Sequence, residues 1–365
     1  SLGYFQNINF NNYRNFSNSS FNFDKGCNVI LGNNGSGKTN ILEGISLFDK
    51  GRGFRKEKIY NLINYSNPNL GFKIHSIFQN KNIDFNINTF NSENNLKKIS
   101  INNNIEVEST KHFQSLFSII YFLPEMERLF VASPSSRRNF LDRLIFTSNK
   151  KYNTVINSYK KAVNERNLIL KNITYDEHWI KIIEDNIVKF GSIIYKCRED
   201  QLQIINKILN TLNIAVKFSH NFFLKINDNF LEKNSHVYEN SELYSSMIKN
   251  NRKIDFISRG CTVGPHLSDL SGYSLSNNFN VNQFSTGQQK TVILLIIIAQ
   301  CKYLIDKLEF KPIILLDEVC SHLDYVNREL LLFLIEELSV QVFLTGTEKS
   351  FFSFLSTKAH YCNIT

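Results

Sequence analysis

The clearest chemical signal in the sequence is a phosphate-binding motif near the start of the chain. Its pattern, G-x-x-x-x-G-K-[ST], is matched in full by Gly32-Asn33-Asn34-Gly35-Ser36-Gly37-Lys38-Thr39. Glycines at these positions let backbone N–H groups turn inward and form a nest for an anion. In such loops the lysine reaches the β- and γ-phosphates, and the hydroxyl binds Mg²⁺. We therefore expect residues 32–39 to bind ATP with Mg²⁺, with Lys38 acting in catalysis and Thr39 as a metal ligand.

Two acidic residues at the end of an apolar segment supply the other half of a nucleotide site. Asp317 and Glu318 follow Ile313–Leu316, four apolar residues that are typical of a buried strand. Ligands bind at the carboxyl ends of strands in open α/β sheets. We expect Asp317 to hold Mg²⁺, directly or through water, and Glu318 to act as the general base that polarises the attacking water.

A short polar segment before a long apolar helix, Phe284–Lys290, is open to two interpretations. Ser285 suits the N-cap of that helix, with Gln288 at the capping-box position, which is a structural role. The same segment also allows a functional interpretation, compatible with the cap, in which Ser285, Gly287 and Gln288 form an ABC-type signature loop that contacts the γ-phosphate of a nucleotide bound to a second subunit. Ser321–Asp324 fits the loop that crosses such an interface. The second interpretation predicts an ATP-dependent homodimer.

Basic residues after the phosphate-binding motif are candidates for contact with DNA. Arg52, Arg55, Lys56 and Lys58 cluster there, and contacts with backbone phosphates would be electrostatic and independent of base sequence. In a lysine-rich chain, a merely solvated surface explains the same cluster equally well. Arg14, on an early strand, either contacts the nucleotide through its adenine or a phosphate, or is only an edge-strand charge.

Other polar residues receive structural or subsidiary roles. Arg137 and Arg138 are expected to pair with acids inside a helical region. His266, in a turn, is expected to have a structural or DNA-facing role and no metal, because no second ligand lies at metal spacing. Residues 342–347 lack the switch histidine of transporters, so Thr345 or Thr347 is expected to contact the γ-phosphate instead.

The periodicity around these motifs predicts an α/β protein with a helical insert. Cys27–Leu31 is typical of a buried strand and Asn40–Phe48 of a helix, which is the context that the phosphate-binding motif requires. A strand-like segment, Ala215–Phe223, follows a region of helical period. That region contains four predicted helices, Arg137–Phe146, Thr154–Leu170, Trp179–Tyr195 and Asp200–Leu212. We predict an ABC-type P-loop ATPase head with a mixed sheet, formed by residues 1–110 and 256–365, and a mostly α-helical domain inserted at 111–255.

The composition narrows the class of protein. The chain has 365 residues, and no apolar run approaches the roughly 20 residues of a membrane span. Six scattered cysteines match no zinc spacing and favour a reducing compartment. No secretory signal is evident, so we expect a cytoplasmic protein with no membrane partner. The net charge of +9 favours a polyanionic partner, most commonly nucleic acid, although solubility also explains it.

Further segments make the sequence resemble the RecF family, bacterial recombination-mediator ATPases whose ABC-type heads are related to SMC proteins. The similar segments are Asn12–Phe16, Gly51–Arg55, Leu123–Glu125, Ser133–Asp142, Glu165–Asn167 and Thr262–Asp269. Met126 stands where the family usually has Asp, so no role of that acid carries over. Glu318 stands where many members have Asp, and either acid can orient water.

The resemblance implies a weak, DNA-stimulated ATPase of recombinational repair, replication restart and the SOS response. Its implied partners are single-stranded and double-stranded DNA, a second copy of the chain, RecR and RecO, and RecA indirectly as the recombinase that is loaded at gapped or single-stranded DNA. Two other classes fit less well. A transporter or nucleotide-metabolic enzyme explains neither the basic charge nor Ser285–Lys290. An SMC-like tether needs sustained heptads, which the insert lacks.

Overall fold

The computed structural model describes residues 3–172, 174–212 and 221–365, which form two compact units. The P-loop unit comprises residues 3–127 and 286–365. The helical unit comprises residues 128–172, 174–212 and 221–285. An α/β unit divided by a mostly helical insert is therefore present, as the sequence predicts. The borders lie after Glu127 and Ser285, however, and not after residues 110 and 255.

The described elements are numbered in chain order. The strands are β1 (Tyr4–Phe5), β2 (Asn7–Tyr13), β3 (Phe16–Asn22), β4 (Cys27–Leu31), β5 (Lys73–Asn80), β6 (Ile83–Asn91), β7 (Lys97–Ile101), β8 (Ile119–Phe122), β9 (Phe222–Asn227), β10 (Asp269–Ser274), β11 (Ile313–Leu316), β12 (Gln341–Gly346) and β13 (Ala359–Asn363). The α-helices are α1 (Lys38–Ser46), α2 (Val107–Ser115), α3 (Pro134–Ser148), α4 (Tyr152–Ile169), α5 (Glu177–Thr211), α6 (Asn229–Lys233), α7 (Ser241–Asn250), α8 (Arg252–Ser258), α9 (Thr286–Leu308) and α10 (Tyr325–Leu332).

A parallel sheet in the P-loop unit carries the chemically informative segments. Its strand order is β13-β4-β12-β11-β8, and every neighbouring pair is parallel. Strand β8 explains the shifted domain border, because its pairing with β11 assigns residues up to Glu127 to this unit. Strands β4 and β11 are buried along their whole length, as expected for a sheet covered on both faces.

A second, antiparallel sheet packs with α1 against the parallel one. Its order is β3-β2-β5-β6-β7, and β1 pairs with β5. One buried core cluster joins side chains from both sheets and from α1, including Phe10, Ile45, Phe78 and Leu315. Burial of each such side chain contributes roughly 1.5–3 kcal/mol. This core fixes α1, and with it the start of the phosphate-binding loop.

The helical unit is built around the 35-residue helix α5. The sequence predicts two helices here, but residues 196–199 contain no helix breaker, and Lys196 pairs with Asp200 one turn later at 2.8 Å. The predicted strand-like segment Ala215–Phe223 falls mostly on residues 213–220, which lie outside the described residues. Strand β9 begins at Phe222 and pairs with β10. Among the described helices, none combines the length and apolar character that crossing a membrane requires.

Candidate active site

The P-loop, which comprises Gly32–Thr39 and gives the P-loop unit its name, turns between β4 and α1 as its motif predicts. Gly35 and Gly37 have φ values of +82° and +103°, in the left-handed region that favours glycine. A Cβ atom at Gly32 would collide with the Ser36 side chain. Gly37 is the N-cap of α1, so the loop lies at the positive end of that helix, where phosphates bind.

The two predicted catalytic residues, Lys38 and Glu318, lie beside each other at the P-loop. Lys38 Nζ donates to the carbonyl oxygens of Gly32 at 2.6 Å and Asn33 at 3.0 Å, and it lies 3.5 Å from Glu318 Oε1. The Lys38 side chain is buried, whereas one third of the Glu318 side chain is exposed. Glu318 has φ +55°, an uncommon conformation for a residue with a side chain. Such backbone geometry concentrates at functional sites.

The two predicted metal ligands, Thr39 and Asp317, meet although 278 positions separate them. Thr39 Oγ1 donates a 2.9 Å hydrogen bond to Asp317 Oδ2. Hydroxyl and carboxylate oxygens are the ligand types that Mg²⁺ prefers. Among the described residues no cluster of three or more His, Cys, Asp and Glu side chains could hold a metal. Mg²⁺ usually binds through one or two carboxylates together with waters and substrate phosphates, and Thr39 with Asp317 fits a site of that kind. The Ser36 hydroxyl is buried without a hydrogen-bond partner, which leaves it available to a phosphate. These residues fit a magnesium nucleotide.

Thr345 connects the two acidic residues, a role that the sequence did not indicate. It lies on β12, which separates β4 from β11 in the sheet. Its hydroxyl donates to Asp317 Oδ1 at 2.6 Å and accepts from the backbone N–H of Glu318 at 2.9 Å. Thr345 is almost wholly buried. Its hydroxyl therefore orients the two acids. The sequence led us to expect that Thr345 or Thr347 contacts the γ-phosphate, but the Thr345 hydroxyl already makes these two hydrogen bonds.

The predicted signature segment crosses the border between the two units. Ser285 is the last residue of the helical unit, and Gly287 and Gln288 lie in the first turn of α9 in the P-loop unit. The Gly287 carbonyl accepts from Thr291 Oγ1 at 3.0 Å and from Asn327 Nδ2 at 3.4 Å. Because Asn327 lies on α10, the start of α9 is joined to the segment that follows Glu318.

Lys290 strengthens this junction and is a second residue that the sequence did not single out for a role. Its Nζ donates to the Val319 carbonyl at 3.1 Å and lies 3.1 Å from Glu127 Oε1. The side chain is buried, and a lysine close before the apolar run Val292–Ala299 was the available signal.

Glu43 on α1 holds two of the basic residues singled out in the sequence. Arg14 makes a two-pronged contact with its carboxylate, with Nη2 at 2.9 Å from each oxygen, and Arg55 Nη1 also lies at 2.9 Å. Burial works against the charged form of Arg14, but Glu43 more than offsets it and raises the pKa of that guanidinium. Glu43 is fully buried, whereas one third of the Arg55 side chain is exposed. Arg52 and Lys56 are exposed in the same loop.

Family-like segments of the helical unit are joined by partly buried polar contacts. Arg137 binds Asp269 through Nε at 2.7 Å and Nη2 at 3.0 Å, and Arg138 donates to the Ser268 carbonyl at 2.8 Å. The expected pairing of Arg137 with an acid is confirmed, whereas Arg138 binds a backbone oxygen.

His266 has a structural environment within the same unit. Its Nε2 lies 2.8 Å from the Cys261 carbonyl, which only accepts, so this nitrogen carries the proton. Its Nδ1 lies 2.8 Å from the Tyr159 hydroxyl, which then donates. Burial lowers the pKa of His266, and the Cys261 contact only partly counteracts that effect. The neutral imidazole thus has both nitrogens satisfied.

Comparisons with known proteins agree with this geometry. The RecF/RecN/SMC N terminal domain family matches residues 4–361. The DNA replication and repair protein RecF of Rickettsia typhi is 30% identical over 94% of each chain, and that of Rickettsia massiliae is 31% identical over 98% of each.

Solved structures give the same result for the fold. A structure of the recombination mediator protein RecF-ATPrS of the RecFOR pathway superposes with a TM-score of 0.84 at 25% identity, covering 100% of this chain and 97% of that one. An SMC head domain from Pyrococcus furiosus, 16% identical over 97% of this chain and 92% of that one, shares the fold with a TM-score of 0.52. The predicted ABC-type head is therefore confirmed. The chain belongs to the RecF family of DNA replication and repair proteins, within the larger group that RecF forms with RecN and the SMC heads.

Proposed function

We propose that the protein is a weak, DNA-stimulated ATPase that dimerises on ATP and DNA. It acts in the cytoplasm in recombinational repair and replication restart, and with RecR and RecO it helps to load RecA at gapped or single-stranded DNA. The observation that carries the ATPase part is the 2.9 Å contact of Thr39 with Asp317 beside Lys38. The related RecF-ATP structure of the RecFOR pathway supports the nucleotide and the pathway, and the net charge of +9 supports the nucleic acid.

In this proposal, different residues of the P-loop unit bind the phosphates, bind Mg²⁺ and accept the proton. The backbone N–H groups of the P-loop and the Lys38 ammonium hold the phosphates, and Thr39 with Asp317 holds Mg²⁺. When bound, Mg²⁺ neutralises charge on the phosphate oxygens. Glu318 accepts a proton from the attacking water. The Thr345 hydroxyl accepts a hydrogen bond from the Glu318 N–H and so holds the Glu318 backbone in place.

The dimer completes the same site from outside. Ser285, Gly287 and Gln288 of one subunit contact the γ-phosphate held by the P-loop of the other. Gly287 suits this role because a Cβ atom there would meet only Asp324 Oδ2, at 3.7 Å, so its surface is open to an approaching group. Glu318, with its partly exposed side chain, positions water fully only when the second subunit closes the site.

Sedimentation with and without ATP, and with and without DNA, tests this proposal. Glu318→Gln keeps the P-loop and removes the base, so the ATP-bound dimer should persist longer than that of the wild type. Ser285→Arg also keeps the P-loop but places a bulky cation at the signature loop, so ATP should bind without dimerisation. Ser20→Arg, at an exposed position on β3, serves as the control and should behave as wild type. A Ser285→Arg protein that still forms an ATP-dependent dimer with normal turnover would remove the signature mechanism.

A further inference from the structure

The turn between β2 and β3 places Asn15 directly on the P-loop. Asn15 Nδ2 donates to the backbone carbonyl of Ser36 at 2.9 Å. A Cβ atom at Gly37 would lie 2.6 Å from the Asn15 amide, so the side chain rests against the left-handed glycine of the loop. The sequence does not indicate a role for Asn15, and the nucleotide chemistry proposed for the P-loop unit does not involve it.

Asn40, in the first turn of α1, extends this contact to the basic loop that follows the helix. Its Nδ2 donates to Asn15 Oδ1 at 2.8 Å, and its Oδ1 accepts from Arg55 Nη1 at 2.8 Å. Three hydrogen bonds therefore lead without a gap from Arg55 to the backbone of the P-loop at Ser36. We call these residues, Arg55, Asn40, Asn15 and Ser36, the relay.

The direction of the relay follows from its two ends. A guanidinium only donates, so Asn40 must present its oxygen to Arg55. The Ser36 carbonyl only accepts, so Asn15 must present its nitrogen there. The bond in the middle is then fixed as Asn40 donating to Asn15. A change at either end consequently alters the hydrogen bonding of both amides.

The outer end of the relay is held but accessible. Arg55 Nη1 also contacts Glu43 Oε2 at 2.9 Å, and Glu43 is itself fully buried on α1. One third of the Arg55 side chain remains exposed, so an external phosphate can reach the same guanidinium that enters the relay. Because a phosphate is a charged acceptor and the Asn40 amide is a neutral one, a phosphate that binds this guanidinium can draw the Arg55 side chain away from Asn40 Oδ1.

We propose that Asn15 and Asn40 are positioning residues that couple phosphate contact at Arg55 to nucleotide binding in the P-loop. The inference rests on the proposed function, because it takes the DNA backbone as the source of that phosphate. When DNA engages Arg55, Asn40 loses its donor, its amide shifts, and the change reaches Ser36 through Asn15. Linkage requires the reverse effect as well, so ATP in the P-loop changes the affinity for DNA by the same factor.

The test measures the affinity for a slowly hydrolysed ATP analogue with and without saturating DNA, and reports the ratio of the two. Wild type should give a ratio in the usual range for coupled sites, about 5-fold to 150-fold. Asn15→Ala and Asn40→Ala should each bring it to within about twofold of 1. The double variant should match either single one, because links in series fail together. Both positions are at least partly exposed, so these changes leave the core intact.

Two further variants separate coupling from a structural role. Asn40→Asp keeps the acceptor for Arg55 and loses the donor to Asn15. Its affinity ratio should therefore also fall to within about twofold of 1, although Arg55 stays in contact with residue 40. Asn18→Ala, at an exposed position on the same hairpin, should keep the wild-type ratio. A purely structural effect would lower both affinities equally and leave the ratio unchanged.

The possible outcomes separate a failure of the relay from a failure of the proposed function. A wild-type ratio of 1 contradicts the DNA–ATP linkage of the proposed function, and the inference falls with it. A large wild-type ratio that survives in Asn15→Ala, Asn40→Ala and Asn40→Asp overturns the relay and leaves the proposed function standing.

Discussion

The Thr345 hydroxyl donates a 2.6 Å hydrogen bond to Asp317 Oδ1, and the oxygen of that hydroxyl accepts a hydrogen bond from the Glu318 N–H at 2.9 Å. One buried hydroxyl thus serves both acids, the expected metal ligand and the expected base. The contact exists because β12 lies next to β11 in the sheet, with Leu344 paired to Leu316 at the ends of the two strands.

Replacement of Thr345 by valine keeps the shape of the side chain and removes the hydroxyl. Asp317 Oδ1 and the Glu318 N–H then lose a partner in a buried site, which costs about 1–3 kcal/mol of folding stability. We expect ATP turnover to fall more than ATP affinity, because the P-loop is unchanged while the base is less well positioned. Steady-state kinetics and nucleotide titration measure the two effects. Thr347→Val, two residues further on and less buried, should leave turnover near wild type.

DNA binding should weaken steeply with salt and depend little on base sequence. Each phosphate contact that is lost lowers the slope of log affinity against log salt by about 0.9 for duplex DNA. Arg52→Glu and Lys56→Glu change exposed residues and should reduce that slope. Lys207→Glu, exposed on α5, is the matched control. Salt titrations with two unrelated duplexes decide the matter, since sequence preference or a flat salt response would contradict backbone contact.

Arg166 binds two carboxylates in the interior of the helical unit. It is fully buried and binds Glu184 at 2.9 Å and Asp255 at 2.6 Å. Arg166→Leu leaves these buried carboxylates without this cation and should lower the free energy of unfolding by about 3–5 kcal/mol. Lys161→Met, on the same helix, removes an exposed pair with Glu165 and should change it by less than about 1 kcal/mol. Urea denaturation of both variants compares the two pairs, and equal effects would show that burial does not set the cost.

The pKa of His266 predicts an acid-sensitive helical unit. Burial lowers this pKa in the folded state, with Arg138 and Arg198 contributing in the same direction and Asp255 opposing. The unfolded chain, with an ordinary histidine pKa of about 6.5, therefore binds the proton more readily. Stability should be fully present above that pH and decline as the pH falls through and below it.

Thermal unfolding at a series of pH values checks this expectation. His266→Gln should have a shallower decline than wild type between about pH 7 and pH 5. His112→Gln, at an exposed position on α2, should keep the wild-type dependence. Identical profiles for wild type and His266→Gln would assign the acid sensitivity to other groups.

The parts of the site that sequence could predict are those built from contiguous residues. The P-loop lies between β4 and α1, and its glycines, lysine and threonine occupy positions that local geometry requires. The acids after β11 could be predicted for the same reason, because an apolar strand immediately precedes them. The contact between Thr39 and Asp317 then follows from two local patterns and the general rule for ligands in α/β sheets.

The remaining features depend on strand order and on packing between distant segments. Thr345 could not be assigned to the acids without knowing that β12 lies next to β11. The continuous helix α5 was predicted as two helices, because a weak apolar pattern near Lys196 looks like an end when no neighbouring element is known. Glu43 carried a usable signal, an acid among Leu42 and Ile45 on a buried helix face, but its two arginine partners lie on other segments.

The position of β12 between β4 and β11 also sets when the active site can exist during protein synthesis. The P-loop is synthesised first, and Asp317 follows Thr39 only after 278 further positions, with Thr345 later still. At about 5–20 residues per second, that interval is on the order of 15–60 s. The antiparallel sheet, whose strands all end by Ile101, and the helical unit are both complete in sequence before then. A nascent chain thus carries the phosphate-binding motif without its acidic partners until β11 and β12 have been synthesised.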